Sequence, residues 1–309
     1  MTDPDGASGA GVQRPQVLAI GRTGSFDVAM SSHDELKNRA SVTYNAAADH
    51  YDDSDNTFWE LFGRRTVARL GLRPGMHVLD VCAGSGASAI PAAEAVGPTG
   101  RVVAVDISSR LLALLTRKAE ARGLRQIDVR VQDLLELDSD GEPFDAVVCV
   151  FGIFFLADMV EGVRRLWRRV RPGGRLAITT WGPRAFEPGN SAFWTAVRRE
   201  RPDLYREFAP WDIVTEPEAL RDLLARAGVP DSEIEAEEAT HPLASPDAWW
   251  SLVMGSGYRG TIDQLTEEAR ERVRADNLSY LAAERVAAIE ANVIYAIARK
   301  PAQSSPIAP

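Results

Sequence analysis

Short apolar runs alternate with amphipathic stretches through the middle of the chain. The apolar runs are bounded by glycine, proline and aspartate, which is typical of buried strands, and the stretches between them repeat with helical spacing. Such alternation predicts an α/β fold in which a parallel sheet is covered by helices on both faces. The predicted strands are 77–82, 101–106, 127–132, 144–151 and 174–181, and the predicted helices between them are 86–95, 108–122 and 157–170.

Less regular patterns flank this core. Helical spacing predicts helices at 34–50, 57–70, 191–208, 216–227, 246–256 and 261–284, and alternation predicts strands at 233–239 and 287–297. The polar, Gly- and Pro-rich ends lack any apolar period and are expected to be flexible. We therefore predict a tail over 1–33, a single domain over 34–300 divided into a helical lid (34–74), a core (75–183) and a roof with edge strands (184–300), and a second tail over 301–309.

The first predicted strand runs directly into a tight glycine turn, in the sequence Val78-Leu79-Asp80-Val81-Cys82-Ala83-Gly84-Ser85-Gly86. Glycine allows the backbone to turn where a Cβ would block a ligand, and the amides of the following helix suit a nucleotide or a carboxylate. The next strand ends in Asp106, about 20 residues further on, where a dinucleotide-type fold places the acid that binds a ribose. Together these features predict a nucleoside pocket.

The glycine spacing leaves two enzyme classes open, because Gly84-x-Gly86-x-x-Ala89 also fits the looser fingerprint of dehydrogenases. Three downstream stretches decide between them: Gln132-Asp133-Leu134, Phe144-Asp145-Ala146-Val147-Val148 and Arg171-Pro172-Gly173-Gly174-Arg175-Leu176. With Asp80 ahead of the turn, this series resembles the class I S-adenosylmethionine-dependent methyltransferases. The resemblance covers residues 75–183, and more loosely 40–300, and is greatest to the ubiquinone/menaquinone-biosynthesis type, whose members methylate small molecules.

The resemblance implies a doubly wound, Rossmann-like, seven-stranded, mostly parallel sheet with an antiparallel C-terminal hairpin, an N-terminal helical lid and helical insertions. It implies S-adenosylmethionine as cofactor, with Asp80 and the glycine loop at its methionine end, Asp106 at the ribose and Asp133 at the adenine amino group. The family usually has glycine where Cys82 stands, so the approach of the loop to the cofactor is expected to differ here. The expected cofactor-binding residues are Asp80, Cys82, Ala83, Gly84, Ser85, Gly86, Asp106, Ile107, Gln132, Asp133, Leu134 and Val150.

The expected acceptor site is apolar. The loop after the fourth strand, residues 151–155, carries no acid, base or metal ligand, and aromatic residues recur in the segments that would form the roof. Tyr44 and Tyr51 are seven residues apart on the predicted first helix, and in resembling proteins a similar stretch helps to close the active site. The expected substrate-binding residues are Tyr44, Tyr51, Phe151, Phe154, Phe155, Trp181 and Trp211.

Methyl transfer needs alignment and desolvation, and a base only when the acceptor must lose a proton. The candidate catalytic residues are His50 and Tyr51 in the lid and Glu187 on the loop after the fifth strand, where open α/β sheets carry their sites. His241 is a further candidate base. A C-methyltransferase acting on an alkene or prenyl chain is an alternative in which Glu187 would remove the final proton. Mg²⁺ would be needed only if that acceptor were a diphosphate.

Composition narrows the partners. A net charge of −9 over 309 residues argues against a general affinity for nucleic acid or anionic membranes, and no run of apolar residues is long enough to span a bilayer. The two cysteines, Cys82 and Cys149, lie in predicted strands and are expected to be reduced core residues of a cytoplasmic protein. We expect a small-molecule acceptor as partner, and whether the protein forms a homo-oligomer is left open.

Two other classes remain as alternatives: an NAD-type oxidoreductase and a nucleoside-binding domain without catalysis. An oxidoreductase would need a proton-donating Tyr/Lys pair or a histidine in a set position. It would also leave Asp133 and the Pro172-Gly173-Gly174 turn unexplained. The sequence therefore favours a small-molecule methyltransferase, with specialised bacterial metabolism as the expected setting.

Overall fold

The computed structural model describes residues 33–137, 141–206 and 210–302. The expected tails, apart from His33, Pro301 and Ala302, lie outside these residues. The helix predicted at 191–208 ends at Glu200 in the structure, and its last two positions lie outside the described residues. The helices are α1 (His33–Ala47), α2 (Phe58–Leu70), α3 (Ala89–Val96), α4 (Ser109–Ala121), α5 (Met159–Arg169), α6 (Gly189–Glu200), α7 (Pro217–Arg226), α8 (Pro246–Met254), α9 (Arg259–Ile262) and α10 (Glu267–Ala283). The strands are β1 (His77–Val81), β2 (Arg101–Asp106), β3 (Ile127–Val131), β4 (Phe144–Val150), β5 (Val170–Trp181), β6 (Ser232–Glu237), β7 (Thr240–Pro242), β8 (Ala288–Glu290) and β9 (Val293–Arg299).

A seven-stranded sheet forms the centre of the fold, in the order β3-β2-β1-β4-β5-β9-β6. The first five strands in this order are parallel, and β9 runs antiparallel to both β5 and β6. Strands β1 and β4 are buried along nearly their whole length, which explains their continuous apolar sequences. The predicted Rossmann-like sheet with an antiparallel C-terminal pair is therefore confirmed.

The strand predicted at 287–297 is divided into two strands in the structure. β8 pairs with β7 in a separate two-stranded sheet, whereas β9 enters the main sheet. Asn292 lies between them: its side chain accepts a hydrogen bond from Ala239 N (3.0 Å) and donates to Pro183 O (3.0 Å). These side-chain hydrogen bonds take the place of backbone hydrogen bonds at the point where the chain passes from one sheet to the other. The alternation of apolar residues in the sequence does not reveal this change of sheet.

The N-terminal lid is held against the loop that follows β2. Asn45 of α1 accepts hydrogen bonds from Ser108 Oγ (2.8 Å) and Arg110 N (3.1 Å) at the start of α4. The predicted helix 34–50 ends three residues early, so Tyr51 lies in the following turn. Its ring centroid is nevertheless 6.3 Å from that of Tyr44, and both tyrosines therefore reach the same region.

Helix α2 packs closely on the glycine loop. A Cβ on Gly63 would lie 2.3 Å from Ala87 O, so that a glycine is needed at this contact. Thr66 Oγ1 is 2.7 Å from Thr179 Oγ1 of β5, which fixes the helix on the sheet. Among the described helices, none is both long enough and apolar enough to cross a bilayer.

Candidate active site

An aromatic-walled cavity lies at the carboxyl ends of β1, β2, β3 and β4, and encloses about 810 Å³ including its open mouth. Ligands in open α/β sheets bind at this edge. Helix α1 supplies a further wall through four residues that face the strand ends. We call this space the strand-end cavity, and it is lined by His33, Lys37, Ala40, Tyr44, Tyr51, Trp59, Val81, Cys82, Val105, Asp106, Ile107, Leu111, Gln132, Asp133, Leu134, Val150, Phe151, Gly152, Phe155 and Leu156.

Asp106 ends β2 and lines this cavity. Its Oδ2 accepts a hydrogen bond from Gly84 N (2.9 Å), and its Oδ1 accepts one from Ser108 N (2.8 Å). Burial raises the pKa of Asp106, although these backbone N–H groups oppose that effect. The carboxylate thus ties the glycine loop to the start of α4 and lies against the cavity.

Asp133 follows β3 and is only 4% exposed. His33 Nε2 and Lys37 Nζ of α1 lie 2.8 Å and 3.2 Å from its Oδ2, and its Oδ1 accepts a hydrogen bond from Leu135 N (2.9 Å). Burial opposes ionisation of Asp133, but these donors outweigh it and the pKa of this carboxyl is lowered. The Lys37–Asp133 ion pair and the His33–Asp133 contact close α1 over the cavity at this end.

The contacts of Asp133 reveal site residues that the sequence analysis missed. The sequence predicts His33 within the flexible tail 1–33, but this is wrong: His33 is the first residue of α1 and contacts Asp133. Lys37 had not been singled out. No local signal marks either residue, because their partner is about 100 positions away in the sequence.

Cys82 adopts a left-handed backbone conformation with φ of 58°. An L-residue is strained there by roughly 1–2 kcal/mol, which explains why glycine is usual at this position in the proteins that the motif resembles. The side chain lies over Gly152, where a Cβ would come within 2.4 Å of Cys82 Cβ. Hydrogen bonding to Cys149 and burial raise the pKa of the Cys82 thiol, so that it lines the cavity as a neutral group.

The predicted cofactor residues separate into two groups. Those that line the cavity are Cys82, Asp106, Ile107, Gln132, Asp133, Leu134 and Val150, and those that do not are Asp80, Ala83, Gly84, Ser85 and Gly86. The glycine loop is covered by the turn after α1: Tyr51 Oη would be 3.4 Å from a Cβ at Gly84, and Ser85 Oγ donates to Asp52 Oδ1 (2.6 Å). Lys118 Nζ pairs with Asp52 Oδ2 (3.0 Å) beside this contact.

Asp80 lies beneath the glycine loop and is fully buried. Both of its carboxylate oxygens accept hydrogen bonds from Ser88 Oγ, at 3.0 Å and 2.8 Å. Burial raises the pKa of Asp80 to about 8, with the Ser88 hydrogen bond opposing. Its observed contact is to Ser88 and not to the strand-end cavity, so direct contact with a cofactor stays a prediction.

A second, smaller space adjoins the first and encloses about 300 Å³ including its open mouth. The two share Tyr44, Trp59, Phe151 and Phe155. We call the second space the aromatic cavity, and it is lined by Tyr44, Trp59, Phe151, Phe154, Phe155, Trp181, Phe186, Trp211, Ser256, Gly257 and Tyr258.

Ring contacts fix the walls of the aromatic cavity. Phe151 stacks on Trp181 with ring centroids 3.8 Å apart, and Phe155 meets Tyr44 edge to face at 5.4 Å. Trp59 stacks on Tyr51 at 5.0 Å, which joins this wall to the lid. Offset-stacked and edge-to-face pairs of this kind are favourable, so the rings hold one another in place.

The predicted substrate residues are largely brought together here. The aromatic cavity is lined by Tyr44, Phe151, Phe154, Phe155, Trp181 and Trp211, whereas Tyr51 lines the strand-end cavity. Among the other lining residues, Trp59 falls within the predicted helix 57–70, and Ser256 is the last residue of the predicted helix 246–256. Their place could not be predicted, because loops of the roof bring residue 256 to the sheet edge.

The candidate bases lie apart from both cavities, with the exception of Tyr51. His50 Nδ1 is 2.9 Å from Asp53 Oδ2, and His241 Nε2 is 2.6 Å from Asp55 O. Neither histidine lines either cavity. Burial raises the pKa of Tyr51 well above its ordinary value, so its phenol remains protonated near neutral pH.

Glu187 lines a separate surface groove and reaches the aromatic cavity through two other residues. Tyr258 Oη donates to Asn190 Oδ1 (2.7 Å), and Asn190 Nδ2 donates to Glu187 Oε1 (3.1 Å). Glu187 also accepts hydrogen bonds from Ser191 N (3.2 Å) and Ser191 Oγ (2.9 Å). It therefore orients the residue that binds Tyr258, and its own carboxylate does not line the cavity.

Within residues 33–137, 141–206 and 210–302, no group of three or more His, Cys, Asp or Glu side chains is arranged to hold a metal ion.

Residues 78–174 match a family model described as a methyltransferase domain. Demethylmenaquinone methyltransferase of Bacillus cytotoxicus is 34% identical over 113 residues, covering 37% of this chain and 48% of that protein. Nocamycin O-methyltransferase of Saccharothrix syringae is 33% identical over 138 residues, covering 45% of this chain and 49% of that protein. The chain thus matches about half the length of each of these curated relatives.

Solved structures of similar fold extend the likeness over more of the chain. Phosphoethanolamine N-methyltransferase 2 of Haemonchus contortus, in complex with phosphomonomethylethanolamine and S-adenosylhomocysteine, superimposes with a TM-score of 0.53 at 18% identity. The match covers 88% of this chain and 60% of that one. At this identity the likeness shows the fold.

Proposed function

We propose that residues 78–174, which match a model described as a methyltransferase domain, belong to a class I S-adenosylmethionine-dependent methyltransferase, and that the protein transfers a methyl group from S-adenosylmethionine to a small, largely apolar acceptor. One observation carries the proposal. A cavity with carboxylates at the ends of β2 and β3 shares an aromatic wall with a second cavity, as a nucleoside cofactor and an adjoining acceptor would require. Specialised bacterial metabolism is the setting that we propose.

The residues of the strand-end cavity fit the cofactor. Asp106 would accept hydrogen bonds from the ribose hydroxyls, and Asp133 from the adenine amino group, since carboxylates accept such bonds readily. Leu134 and Ile107 supply apolar surface for the adenine ring. Asp80 and the backbone from Gly84 to Gly86 would act at the methionine end, which requires the turn around Tyr51 and Asp52 to shift from the loop.

The acceptor would occupy the aromatic cavity. When bound, S-adenosylmethionine supplies an activated methyl carbon, and the new bond forms as the carbon–sulfur bond breaks and its electron pair remains on sulfur. The four shared aromatic residues would hold the acceptor against that carbon, at about 3–3.5 Å in a reactive arrangement. The lid would exclude water through Tyr44, through the ion pair of Lys37 with Asp133 and through the contact of His33 with Asp133.

Some acceptors must lose a proton when they are methylated. No carboxylate that could accept this proton is among the described residues that line the aromatic cavity. We propose Glu187 as a positioning residue that acts through Asn190 on Tyr258, rather than as a base in contact with the acceptor. His50 and Tyr51 remain catalytic candidates only through a movement of the lid or a bridging water.

The alternative of prenyl or other alkene C-methylation draws on the same aromatic walls, because ring faces stabilise a carbocation. A diphosphate head group would need basic residues or Mg²⁺. No Lys or Arg is among the described residues of the aromatic cavity, which favours an acceptor without a phosphate in that space.

Calorimetric titration tests the proposal. We expect S-adenosylmethionine and S-adenosylhomocysteine to bind, and NAD to bind far more weakly. An assay for released S-adenosylhomocysteine, run over a panel of apolar acceptors, would then separate an enzyme from a domain that only binds the nucleoside. Tight binding of NAD without binding of S-adenosylmethionine would overturn the proposal in favour of an oxidoreductase.

A further inference from the structure

The Asp133 carboxylate is bound by the lid as well as by its own loop. Lys37 Nζ and His33 Nε2 of α1 lie 3.2 Å and 2.8 Å from its Oδ2, and Leu135 N donates to its Oδ1 (2.9 Å). A carboxylate offers about four acceptor positions, shared equally between its oxygens. Those of Oδ2 are therefore filled, and one on Oδ1 has no donor among the described residues.

The remaining position of Asp133 suits a ligand group that donates a hydrogen bond. His33, Lys37 and Asp133 all line the strand-end cavity, and Asp133 is only 4% exposed. In the proposed function the donor is the 6-amino group of adenine. That group needs a charged acceptor, because a protonated carboxyl gains an O–H donor of its own and loses acceptor capacity.

Lys37 supplies a positive charge beside this carboxylate. The hydrogen bond to Glu136 raises the pKa of Lys37, so Lys37 is charged at neutral pH. Burial alone would raise the pKa of Asp133, whereas its three donors lower it. Glu136 Oε1 is 2.5 Å from Lys37 Nζ, but Glu136 is 62% exposed, so solvent screens its effect on Asp133.

The closed position of α1 brings Lys37 to Asp133. Lys37, Ser41 and Asn45 are four residues apart and so lie on one face of the helix. Ser41 Oγ donates to Ile107 O (3.3 Å), and Asn45 accepts two hydrogen bonds at the start of α4. This face binds the loops after β2 and β3 through polar contacts, so Lys37 reaches Asp133 only while the lid is closed.

The loop that carries Asp133 is also held by a second helix. Arg165 Nη1 of α5 donates to Leu135 O (2.6 Å). This bond does not involve the lid. Loss of Lys37 should therefore change the charge and the donors at Asp133 while the loop stays anchored.

We propose that Lys37 is a positioning residue for the adenine end of the cofactor: it holds the Asp133 carboxylate as the acceptor of the 6-amino group, so that the closed lid completes the adenine site. The inference rests on the proposed function, since it treats the strand-end cavity as the S-adenosylmethionine site. It couples closure of the lid to recognition of the base. Lys37 is therefore a specificity-determining residue that the lid supplies.

A matched pair of ligands tests the proposal. The full-length protein is titrated calorimetrically with S-adenosylhomocysteine and with its 6-deamino analogue, in which hydrogen replaces the 6-amino group. We expect the wild-type protein to prefer S-adenosylhomocysteine by at least about tenfold, the scale of a hydrogen bond to a charged group. At pH 6 this preference should fall below about threefold in Lys37→Met, whereas Lys37→Arg, which keeps the charge, should retain most of it.

The pH dependence separates the charge of Lys37 from a purely structural contact. Without that charge, burial raises the pKa of Asp133, and the carboxyl gains a proton as the pH falls. The preference of Lys37→Met should therefore shrink from pH 8 to pH 5, whereas the wild-type protein and Lys37→Arg keep theirs. His33 and Glu136, the other ionisable groups beside Asp133, are present in all three proteins.

Lys118→Met is the matched control. Lys118 also joins the lid to the core, because its Nζ pairs with Asp52 Oδ2 (3.0 Å), but it lines neither cavity. This variant should keep the full preference at every pH. Melting curves followed by circular dichroism show whether each variant is folded, and Lys37→Ala replaces Lys37→Met if the latter does not fold.

Three results would overturn the proposal: equal affinity of the wild-type protein for the two ligands, an undiminished preference of Lys37→Met over the whole pH range, or an equal loss of preference in Lys37→Met and Lys118→Met. In each of these cases S-adenosylhomocysteine still binds, and the proposed function stands without the role of Lys37. If the wild-type protein bound neither ligand, the proposed function would fail and the inference would fail with it.

Discussion

The strand-end cavity and the aromatic cavity differ in how the chain builds them. The first is formed mainly by consecutive strand ends between residues 81 and 156, with α1 as an added wall. The second draws on separate segments from residue 44 to residue 258. Sheet geometry alone places the first set of residues together, whereas the second depends on insertions that pack over the sheet. A shared fold therefore specifies the proposed cofactor site far more closely than the proposed acceptor site.

The two cavities also differ in electrostatics. Asp106 and Asp133 line the strand-end cavity, and Lys37 pairs with the second of them. The described wall of the aromatic cavity contains no ionisable side chain apart from the phenols of the partly buried Tyr44 and the buried Tyr258, whose pKa values desolvation raises. We therefore expect changes in the first cavity to alter cofactor affinity and pH dependence, and changes in the second to alter acceptor choice and stability.

The largest effect is expected from the wall of the aromatic cavity. Trp181 is 2% exposed and stacks on Phe151, so Trp181→Ala should lower the free energy of unfolding by about 3–5 kcal/mol. Trp250→Ala serves as the control, because Trp250 is only partly buried and lies outside both cavities. Urea unfolding followed by circular dichroism measures both. Equal losses in the two variants would show that the cavity wall is not part of the core.

The second effect concerns Asp80, beneath the glycine loop. Because the pKa of Asp80 is about 8 in the folded protein and near 3.8 in the unfolded chain, the unfolded state releases this proton first. The contribution of Asp80 to stability therefore falls as pH rises from about 4 to 8. Between pH 5 and pH 8 we expect the wild-type protein to lose up to about 4 kcal/mol more than Asp80→Asn. Parallel pH profiles of unfolding for the two proteins would contradict this assignment.

The third effect is on cofactor affinity. Asp106→Ala should weaken binding of S-adenosylhomocysteine by about 1.5–3 kcal/mol, the scale for losing hydrogen bonds to a charged group. Asp128→Ala, which removes a partly exposed carboxylate paired with Arg101 and Arg130, should leave that affinity unchanged. Calorimetry provides both values. Unaltered affinity in a folded Asp106→Ala protein would remove this residue from the site.

The smallest effect is expected from Glu187. Glu187→Gln keeps the shape of the side chain but removes the carboxylate that orients Asn190 and, through it, Tyr258. Turnover with any acceptor found in the S-adenosylhomocysteine-release assay should fall by roughly threefold to tenfold, with cofactor affinity unchanged. Full activity would return Glu187 to a structural role at the start of α6, where it binds Ser191.

These differences also explain what the sequence could predict. The alternation of strands and helices and the acids at positions 106 and 133 were sufficient for the sheet and for much of the strand-end cavity, because both follow from local pattern. The ion pair of Lys37 with Asp133 and the place of Ser256 were not predictable, since each depends on residues far apart in the sequence. Glu187 was correctly placed after β5, but only the structure shows that Asn190 and Tyr258 separate it from the cavity.

A crystal structure of the protein with S-adenosylhomocysteine tests the central claim most directly. We predict the ribose at Asp106 and the adenine near Asp133, with the sulfur atom at the border formed by Tyr44, Trp59, Phe151 and Phe155. The aromatic cavity would then lie open to the position of the missing methyl group. A nucleoside bound outside the strand-end cavity, or a sulfur atom turned away from this border, would contradict the account.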